Sequence, residues 1–190
     1  TNAKYNYKLG EAFYLIEDYE MSIYEIAEAL KKDPQGANEN STIGYDYNYL
    51  LGRAYSNLSE FNKAIEAFTN SPIEKNFNYK KEKHFLSQGW AYNKNKNYEL
   101  ALNIYNNCYL RFPKCKECSN MLGLMYSYLG KYSSAINQLN YTLKLDNNFS
   151  YPNFNLAGIY YKQSKYIDAL VQLFFAIKKE IYNFLFSQWD

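Results

Sequence analysis

The sequence predicts an all-α protein, an α-solenoid built from successive pairs of antiparallel helices. A skeleton of small, aromatic and aliphatic residues returns five times along the chain, and its members keep the spacing of a helix face. Proline and glycine fall between the copies, where turns are expected. Hydrophobic residues make up 47% of the 190 residues, which is enough to bury a continuous core.

Each copy has a small residue, glycine or alanine, on the first helix of a pair, and an aromatic residue follows it three positions later. Small and apolar residues of a second helix complete the copy. The first copy consists of Leu9, Gly10, Phe13, Tyr19, Ile23, Ala29, Asp33 and Pro34. The second and third consist of Leu51, Gly52, Tyr55, Phe61, Ala64 and Phe68, then Gly89, Tyr92, Tyr98, Ala101, Tyr105, Cys108 and Pro113. The fourth and fifth consist of Leu122, Gly123, Tyr126, Tyr132, Ala135 and Leu139, then Leu156, Ala157, Tyr160, Tyr166, Ala169, Leu173 and Ala176.

The copies follow one another at a nearly constant period. The last two steps, from Gly89 to Gly123 and on to Ala157, are 34 residues each. The two earlier steps are longer, at 42 and 37 residues. The extra residues lie after Pro34 and after Pro72, so we expect them to lengthen turns and leave the helices intact.

The last two steps equal the 34-residue period of the tetratricopeptide repeat family. With five copies of the skeleton, the sequence resembles that family over nearly the whole chain. The resemblance implies helix hairpins that stack into a right-handed superhelix. It predicts a single domain over residues 1–190, with residues 184–190 as a helix extension or the start of further repeats. The five repeats are predicted at about residues 3–36, 45–78, 82–115, 116–149 and 150–183.

Small residues are predicted to let the two helices of a hairpin approach each other. The first helix would come close to the second at Gly10, Gly52, Gly89, Gly123 and Ala157, with the aromatic residue on the same face. The second helix contributes Ala64, Ala101, Ala135 and Ala169.

Charge and hydropathy exclude two classes of partner. A net charge of +2 is too close to neutral to indicate nucleic-acid binding. Every apolar run is shorter than the ~20 residues of a membrane span, and the N-terminus lacks the pattern of a signal peptide. These features predict cytoplasmic localisation, with the nucleus as the alternative.

The sequence contains no recognisable catalytic motif. A glycine-rich phosphate loop, a His-Glu-x-x-His motif and a nucleophile elbow are all absent, so we predict no enzymatic activity and no cofactor. Cys115 and Cys118 form a Cys-x-x-Cys motif, but thioredoxin-like chemistry would need a neighbouring strand and zinc would need four ligands. Cys108 is interpreted as a small core residue and His84 as a structural or surface residue. We therefore predict no metal site, and the odd number of cysteines gives no indication of a disulfide framework.

The resemblance places function in the concave groove, which the first helix of each pair lines. Tyr, Trp and Arg dominate binding hot spots because they bury a large area or make several directed hydrogen bonds. Arg53 and Trp90 are therefore the leading candidates, and packing between repeats is the alternative role of Trp90 and the tyrosines. The predicted groove residues are Tyr7, Glu11, Tyr14, Tyr49, Arg53, Lys83, Trp90, Asn93, Asn120 and Tyr128.

One class of ligand can be compared with the sequence directly. Chaperone-binding members of the family hold a C-terminal carboxylate with lysines, asparagines and an arginine, and the matching positions here are Tyr7, Glu11, Leu50, Lys83 and Ser87. Only Lys83 agrees, and Glu11 would repel a carboxylate. The sequence therefore predicts a scaffold that binds a peptide or partner-protein segment within a multi-protein assembly. The alternative is a recognition or regulatory module of a larger multidomain enzyme or co-chaperone.

An apolar group follows the fifth repeat and consists of Ile181, Phe184, Leu185, Phe186 and Trp189. A stable array would place a polar capping face there. We expect a homodimer partner, further repeats, a capping helix or another subunit to cover this group.

Overall fold

The computed structural model describes residues 2–34, 47–71 and 82–186. These ranges contain ten α-helices and no strand, as the sequence predicts. The helices are α1 (Asn2–Leu15), α2 (Tyr19–Lys32), α3 (Tyr47–Asn57), α4 (Phe61–Thr69), α5 (Glu82–Lys94), α6 (Tyr98–Arg111), α7 (Lys116–Tyr128), α8 (Tyr132–Leu145), α9 (Tyr151–Lys162) and α10 (Tyr166–Phe186). The longer turns expected after Pro34 and Pro72 lie outside the described residues.

The chain divides into two compact units, residues 1–97 and 98–190. In the first unit each helix from α1 to α5 packs on the next, and α3 also touches α1 and α5. In the second unit each helix from α6 to α10 packs on the next, and α7 also touches α9. This is the packing order of an α-solenoid, as predicted. The boundary between the units falls inside the third predicted repeat, and the single domain and the repeat bounds stay predictions.

Glycine lets paired helices approach closely in three of the repeats, which confirms the role predicted for it. A Cβ atom added at any of these glycines would lie closer to the partner side chain than carbon atoms pack, about 3.5 to 4.0 Å. The pairs are Gly10 with Ile26, Gly52 with Phe68 and Gly123 with Leu139, at 2.8, 2.7 and 2.8 Å from the added Cβ. The predicted second-helix alanines, Ala64, Ala101, Ala135 and Ala169, are all buried.

The turn inside each helix pair contains one residue with a left-handed backbone. These residues are Glu17, Ser59, Lys96, Gly130 and Ser164, with φ between 60° and 73°. Each stands two residues after the end of a first helix. The next backbone N–H donates to the carbonyl oxygen of the skeleton aromatic at 2.9 to 3.0 Å, which satisfies an acceptor at the helix C-terminus. The main chain of the skeleton aromatic therefore helps to end each first helix, a role that spacing alone did not predict.

Cys108 is a buried core residue, as interpreted from the sequence, and it also forms a bond that the sequence did not predict. Cys108 is fully buried, but its sulfur forms a disulfide with Cys118. The turn at residues 112–115 is short, so the last turn of α6 lies beside the first turn of α7 and the two sulfurs meet. The odd number of cysteines gave no indication of this disulfide.

Candidate functional site

A cleft of about 320 Å³ opens in the first unit, where α1, α3 and α5 lie side by side. Its volume falls in the range of ordinary ligand sites, about 300 to 1,000 Å³. Three of the predicted groove residues, Tyr14, Arg53 and Trp90, line it together. The remaining lining residues are Ser56, Asn57, Phe68, Leu86 and Ser87.

Arg53 is the cationic centre of this cleft. Its guanidinium carbon lies 4.5 Å from the ring centroid of Tyr14 and 5.7 Å from that of Tyr49. Both distances are within the ~6 Å reach of a cation–π interaction. Asn57 fixes the arrangement, because its Nδ2 donates to the Tyr14 hydroxyl at 2.9 Å and to the Arg53 carbonyl oxygen at 3.0 Å. No carboxylate of the described ranges lies within ion-pair distance of the guanidinium.

Trp90 supplies an aromatic wall on α5. The ring of Phe61 meets it edge to face, with centroids 5.6 Å apart. Lys94 Nζ lies 5.3 Å from the Trp90 ring centroid. The side chain of Trp90 is half-buried, so it contributes to packing and still offers ring surface to a ligand.

Tyr49 connects Arg53 to the interior of the first unit. Its ring centroid lies 5.9 Å from that of Phe68 and 3.8 Å from that of His84. Its hydroxyl is 3.4 Å from Ser87 Oγ. His84 is buried in this contact, in agreement with a structural role. The Tyr49 ring therefore contacts the Arg53 guanidinium and also packs against Phe68 and His84.

Four further predicted groove residues of this unit do not line the cleft. Tyr7 packs against the buried cluster of α2 and α3, with its ring 5.1 Å from a tyrosine ring of α3. Glu11 forms an ion pair of 2.6 Å with Lys8. On α5, Lys83 is exposed and Asn93 is half-buried.

The last two predicted residues belong to the second unit. Asn120 is buried, and its Oδ1 accepts a hydrogen bond of 2.9 Å from Asn155 Nδ2. Tyr128 is exposed, its ring lies 4.8 Å from that of Tyr98, and Lys162 Nζ lies 5.7 Å from its centroid. Asn120 therefore joins α7 to α9 inside the unit, whereas Tyr128 lies on the surface.

Part of the missed lining could have been found from helical spacing. Asn57 stands four residues after Arg53, so it shares a helix face with a predicted residue. Phe68 reaches the cleft from the second helix α4. Spacing along a first helix carries no signal for that contribution.

A second cleft, of about 480 Å³, lies along α8, α9 and α10 in the second unit. Side-chain amides and lysines meet there: Asn153 Nδ2 donates to Gln172 Oε1, and Lys179 Nζ donates to Asn153 Oδ1, both at 2.6 Å. Desolvation by burial lowers the pKa of Lys179. None of the predicted groove residues lines this cleft. Its lining residues are Asn140, Leu143, Asn147, Asn148, Asn153, Gln172, Phe175, Lys178, Lys179 and Tyr182.

The groups in the first cleft suit binding by charge, stacking and hydrogen bonding, because it combines a guanidinium with aromatic rings, hydroxyls and an amide. Across the described ranges, no helix has the length and apolar character needed to cross a membrane.

Comparisons with known proteins agree with the helix-pair fold. The model of the tetratricopeptide repeat family matches residues 45–71, which lie in the second predicted repeat. No curated protein matches the chain. Among solved structures, MamA from residue 41 to its end, of Desulfovibrio magneticus RS-1, is 17% identical with a TM-score of 0.78, covering 96% of this chain and 97% of that chain.

Two further solved structures share the fold. TTC0263, a thermophilic tetratricopeptide repeat protein of Thermus thermophilus, is 20% identical with a TM-score of 0.63, covering 93% of this chain and 91% of that chain. YrrB, described as a tetratricopeptide repeat protein with an unusual peptide-binding site, is 17% identical with a TM-score of 0.72, covering 92% of this chain and 84% of that chain. Residues 45–71 are therefore similar to one tetratricopeptide repeat, and the chain shares the helix-pair fold of these solved tetratricopeptide repeat structures.

Proposed function

We propose that the cleft of the first unit binds a peptide segment that carries an acidic side chain next to an apolar one. The tetratricopeptide fold is that of a protein-interaction scaffold, and YrrB, which shares it, is described as having a peptide-binding site. The observation that carries the proposal is the guanidinium of Arg53, held against tyrosine rings in a cleft that also contains Trp90.

The charges around the cleft favour an acidic ligand. Arg53 lines it, and Lys94 on α5 lies over the ring of Trp90. The carboxylate of Glu11 on α1 is already paired with Lys8. A guanidinium binds a carboxylate through two parallel N–H donors, and a guanidinium that is already stacked loses less conformational entropy when it does so.

The apolar part of the proposed ligand would lie against Trp90, Leu86 and Phe68. These side chains are on the same cleft as the guanidinium, so one short segment can reach both. Aromatic and aliphatic surface contributes to affinity by burial, whereas the Arg53 contact gives the segment its direction and selectivity. We infer that residues adjacent in the ligand sequence supply the two kinds of side chain.

Arg53→Glu should weaken peptide binding by about 2 kcal/mol or more, which is about 30-fold. The probe is a displayed library of random peptides selected on the wild-type chain, and we expect Asp or Glu next to an apolar residue in the selected sequences. Fluorescence anisotropy of the selected peptides then compares the variants. Arg53→Lys keeps the charge but loses the planar fork, so its affinity should be intermediate.

The matched control is Arg111→Glu, which makes the same charge reversal at the other arginine of the sequence, in the second unit. It should leave binding unchanged. Circular dichroism should show the same helix content for all variants. Selected peptides without acidic residues, or equal affinity for the wild-type chain and Arg53→Glu, would contradict the proposal.

We also propose that the apolar face of α10 packs on a second copy of the chain. In the second unit, Ile136 and Leu143 of α8 pack against the buried cluster shared with α9. One 34-residue period later, the same positions on α10 carry Leu170 and Ile177, which are 66% and 47% exposed. The face of α10 thus repeats the surface that α8 uses to hold a helix.

The first helix α1 offers the complementary surface. Leu156 and Ile159 of α9 are buried against α8. The corresponding residues of α1 are Leu9, which is half-buried, and Ala12, which is exposed. A head-to-tail contact between α10 of one copy and α1 of the next would bury both surfaces, as a heterologous interface does.

The double substitution Leu170→Lys/Ile177→Lys should abolish this self-association, because it would bury unpaired ammonium groups. Light scattering over a range of protein concentrations measures the effect: the wild-type mass should rise with concentration and the variant should stay monomeric. Leu110→Lys, at an exposed apolar residue of α6, should leave association unchanged. A wild-type chain that is monomeric at every concentration would contradict a second copy as the occupant. Peptide binding should be the same in all these variants.

A further inference from the structure

Three cysteine sulfurs lie together where α6 meets α7. The Sγ atoms of Cys108, Cys115 and Cys118 are all within 4.8 Å of one another. Cys108 and Cys118 are fully buried, and Cys115 is half-buried. The turn between the helices is closed by backbone hydrogen bonds from Phe112 N to Cys108 O at 2.8 Å and from Cys115 N to Phe112 O at 2.9 Å. The backbone therefore holds the cluster together.

We propose that these three cysteines, when reduced, bind one soft d10 metal ion of the zinc and cadmium class. Thiolate sulfur is the ligand that such ions prefer. Metal–sulfur bonds of about 2.3 Å place the sulfurs around a shared zinc ion roughly 4 Å apart. The three sulfurs already lie within 4.8 Å of one another, so after reduction only the bonded pair, Cys108 and Cys118, must move apart to reach that spacing. The sequence did not predict this site because a zinc ion needs four ligands and Cys108 lies farther along the chain from the Cys-x-x-Cys motif.

The start of α7 favours the thiolate that a metal requires. Cys115 is the N-cap residue of α7, and its sulfur accepts a hydrogen bond of 3.1 Å from the backbone N–H of Cys118. The positive end of the helix dipole stabilises negative charge at this position. Two of the three sulfurs therefore belong to the first turn of one helix, where anionic ligands are stabilised.

Glu117 offers a candidate for the fourth ligand. Its Oε2 lies 3.7 Å from Cys115 Sγ, which donates to it. Tetrahedral sites accept carboxylate oxygen beside sulfur ligands. Three thiolates and one carboxylate would complete the shell with residues from a single turn and its two flanking helices.

Metal binding and the disulfide exclude each other because they use the same sulfurs. A dithiol reductant converts the Cys108–Cys118 disulfide into two thiols, with two electrons and two protons transferred, and is itself oxidised to a disulfide. Binding of one divalent ion then forms three metal–sulfur bonds and releases three protons from Cys108, Cys115 and Cys118. The site is thus open to metal in the reduced chain and closed in the oxidised chain.

The experiment titrates Cd²⁺ and Zn²⁺ into the full chain after reduction with a phosphine under anaerobic conditions. We expect one ion per chain by native mass spectrometry and a thiolate-to-cadmium charge-transfer band in the ultraviolet. The oxidised chain should show neither. A reduced chain without the band, or with no more metal than the oxidised chain, would overturn the proposal.

Cys115→Ser separates the metal site from the disulfide. Serine is a good N-cap residue, and Cys108 and Cys118 stay free to form their bond, so the oxidised fold should be unchanged. The variant should bind metal at least ~10-fold more weakly than the reduced wild type. Equal affinity would show that Cys115 is not a ligand and would contradict the site.

If reduction unfolds the second unit, circular dichroism can measure the helix content of the reduced chain before and after metal is added. Metal binding to a site formed only in the folded chain should then restore helix content. We expect this recovery in the wild type and not in Cys115→Ser. Recovery in both, or in neither, would contradict the proposal.

Discussion

Gly123→Ala should lower the free energy of unfolding by about 1 to 3 kcal/mol. The added Cβ would lie 2.8 Å from Leu139 Cγ and 2.9 Å from its Cδ2. Leu139 is fully buried, so its side chain has no open space to move into. Alanine is the better helix former by about 0.8 to 1.0 kcal/mol, so a net loss reports on packing between α7 and α8. Urea denaturation followed by circular dichroism measures it.

The partner substitution Leu139→Ala should cost more, about 2 to 5 kcal/mol, because it leaves a cavity in a close-packed cluster. In the double variant, the methyl group of residue 123 would have room in that cavity. The cost of the double variant should therefore be smaller than the sum of the two single costs by about 0.5 to 3 kcal/mol.

Gly158→Ala is the control for this cycle. It lies on the exposed face of α9, and no atom is within 4 Å of its added Cβ. Stability should rise by about 0.5 to 1 kcal/mol, since only helix propensity changes. Additive costs for Gly123→Ala and Leu139→Ala would show that the two residues do not share the contact.

The contact between Gly123 and Leu139 could be predicted from the sequence because it repeats. Gly10 with Ile26 and Gly52 with Phe68 have the same separation in sequence and the same close approach. In a repeat protein the same contact recurs in several copies, so the pattern in one copy supports the interpretation of the others. The all-α fold and the buried alanines follow from this repetition.

Features that occur once could not be predicted in the same way. The sulfur of Cys108 meets that of Cys118 because the turn between α6 and α7 is short. The other copies of the skeleton have no cysteines at these positions, so they give no sign of this bond. The cleft combines residues of four helices, and its exact lining depends on how far each side chain reaches. Asn120 illustrates the limit, because helical spacing put it on the groove face while its hydrogen bond to Asn155 lies inside the unit.

Tyr105→Phe should raise the free energy of unfolding by about 1 kcal/mol. Tyr105 is fully buried on α6, and its hydroxyl has no hydrogen-bond partner among the described residues. Desolvation by burial raises the pKa of this phenol, so the group stays neutral. On folding, its O–H loses its hydrogen bonds to water and gains none from the described residues. Phe68 and Leu139 take the same place in their repeats and are buried without a hydroxyl.

Tyr105→Ala distinguishes the hydroxyl from the ring. Removing the whole side chain should cost about 3 to 5 kcal/mol, because the ring fills space between helices that cannot collapse fully. The two substitutions at one residue should therefore change stability in opposite directions, as measured by urea denaturation of the oxidised chain. A loss of stability in Tyr105→Phe would mean that the hydroxyl is satisfied in the folded chain, by a bound water for instance. The polar atom would then contribute to the second unit, and the phenylalanine of the second repeat would not be its equivalent.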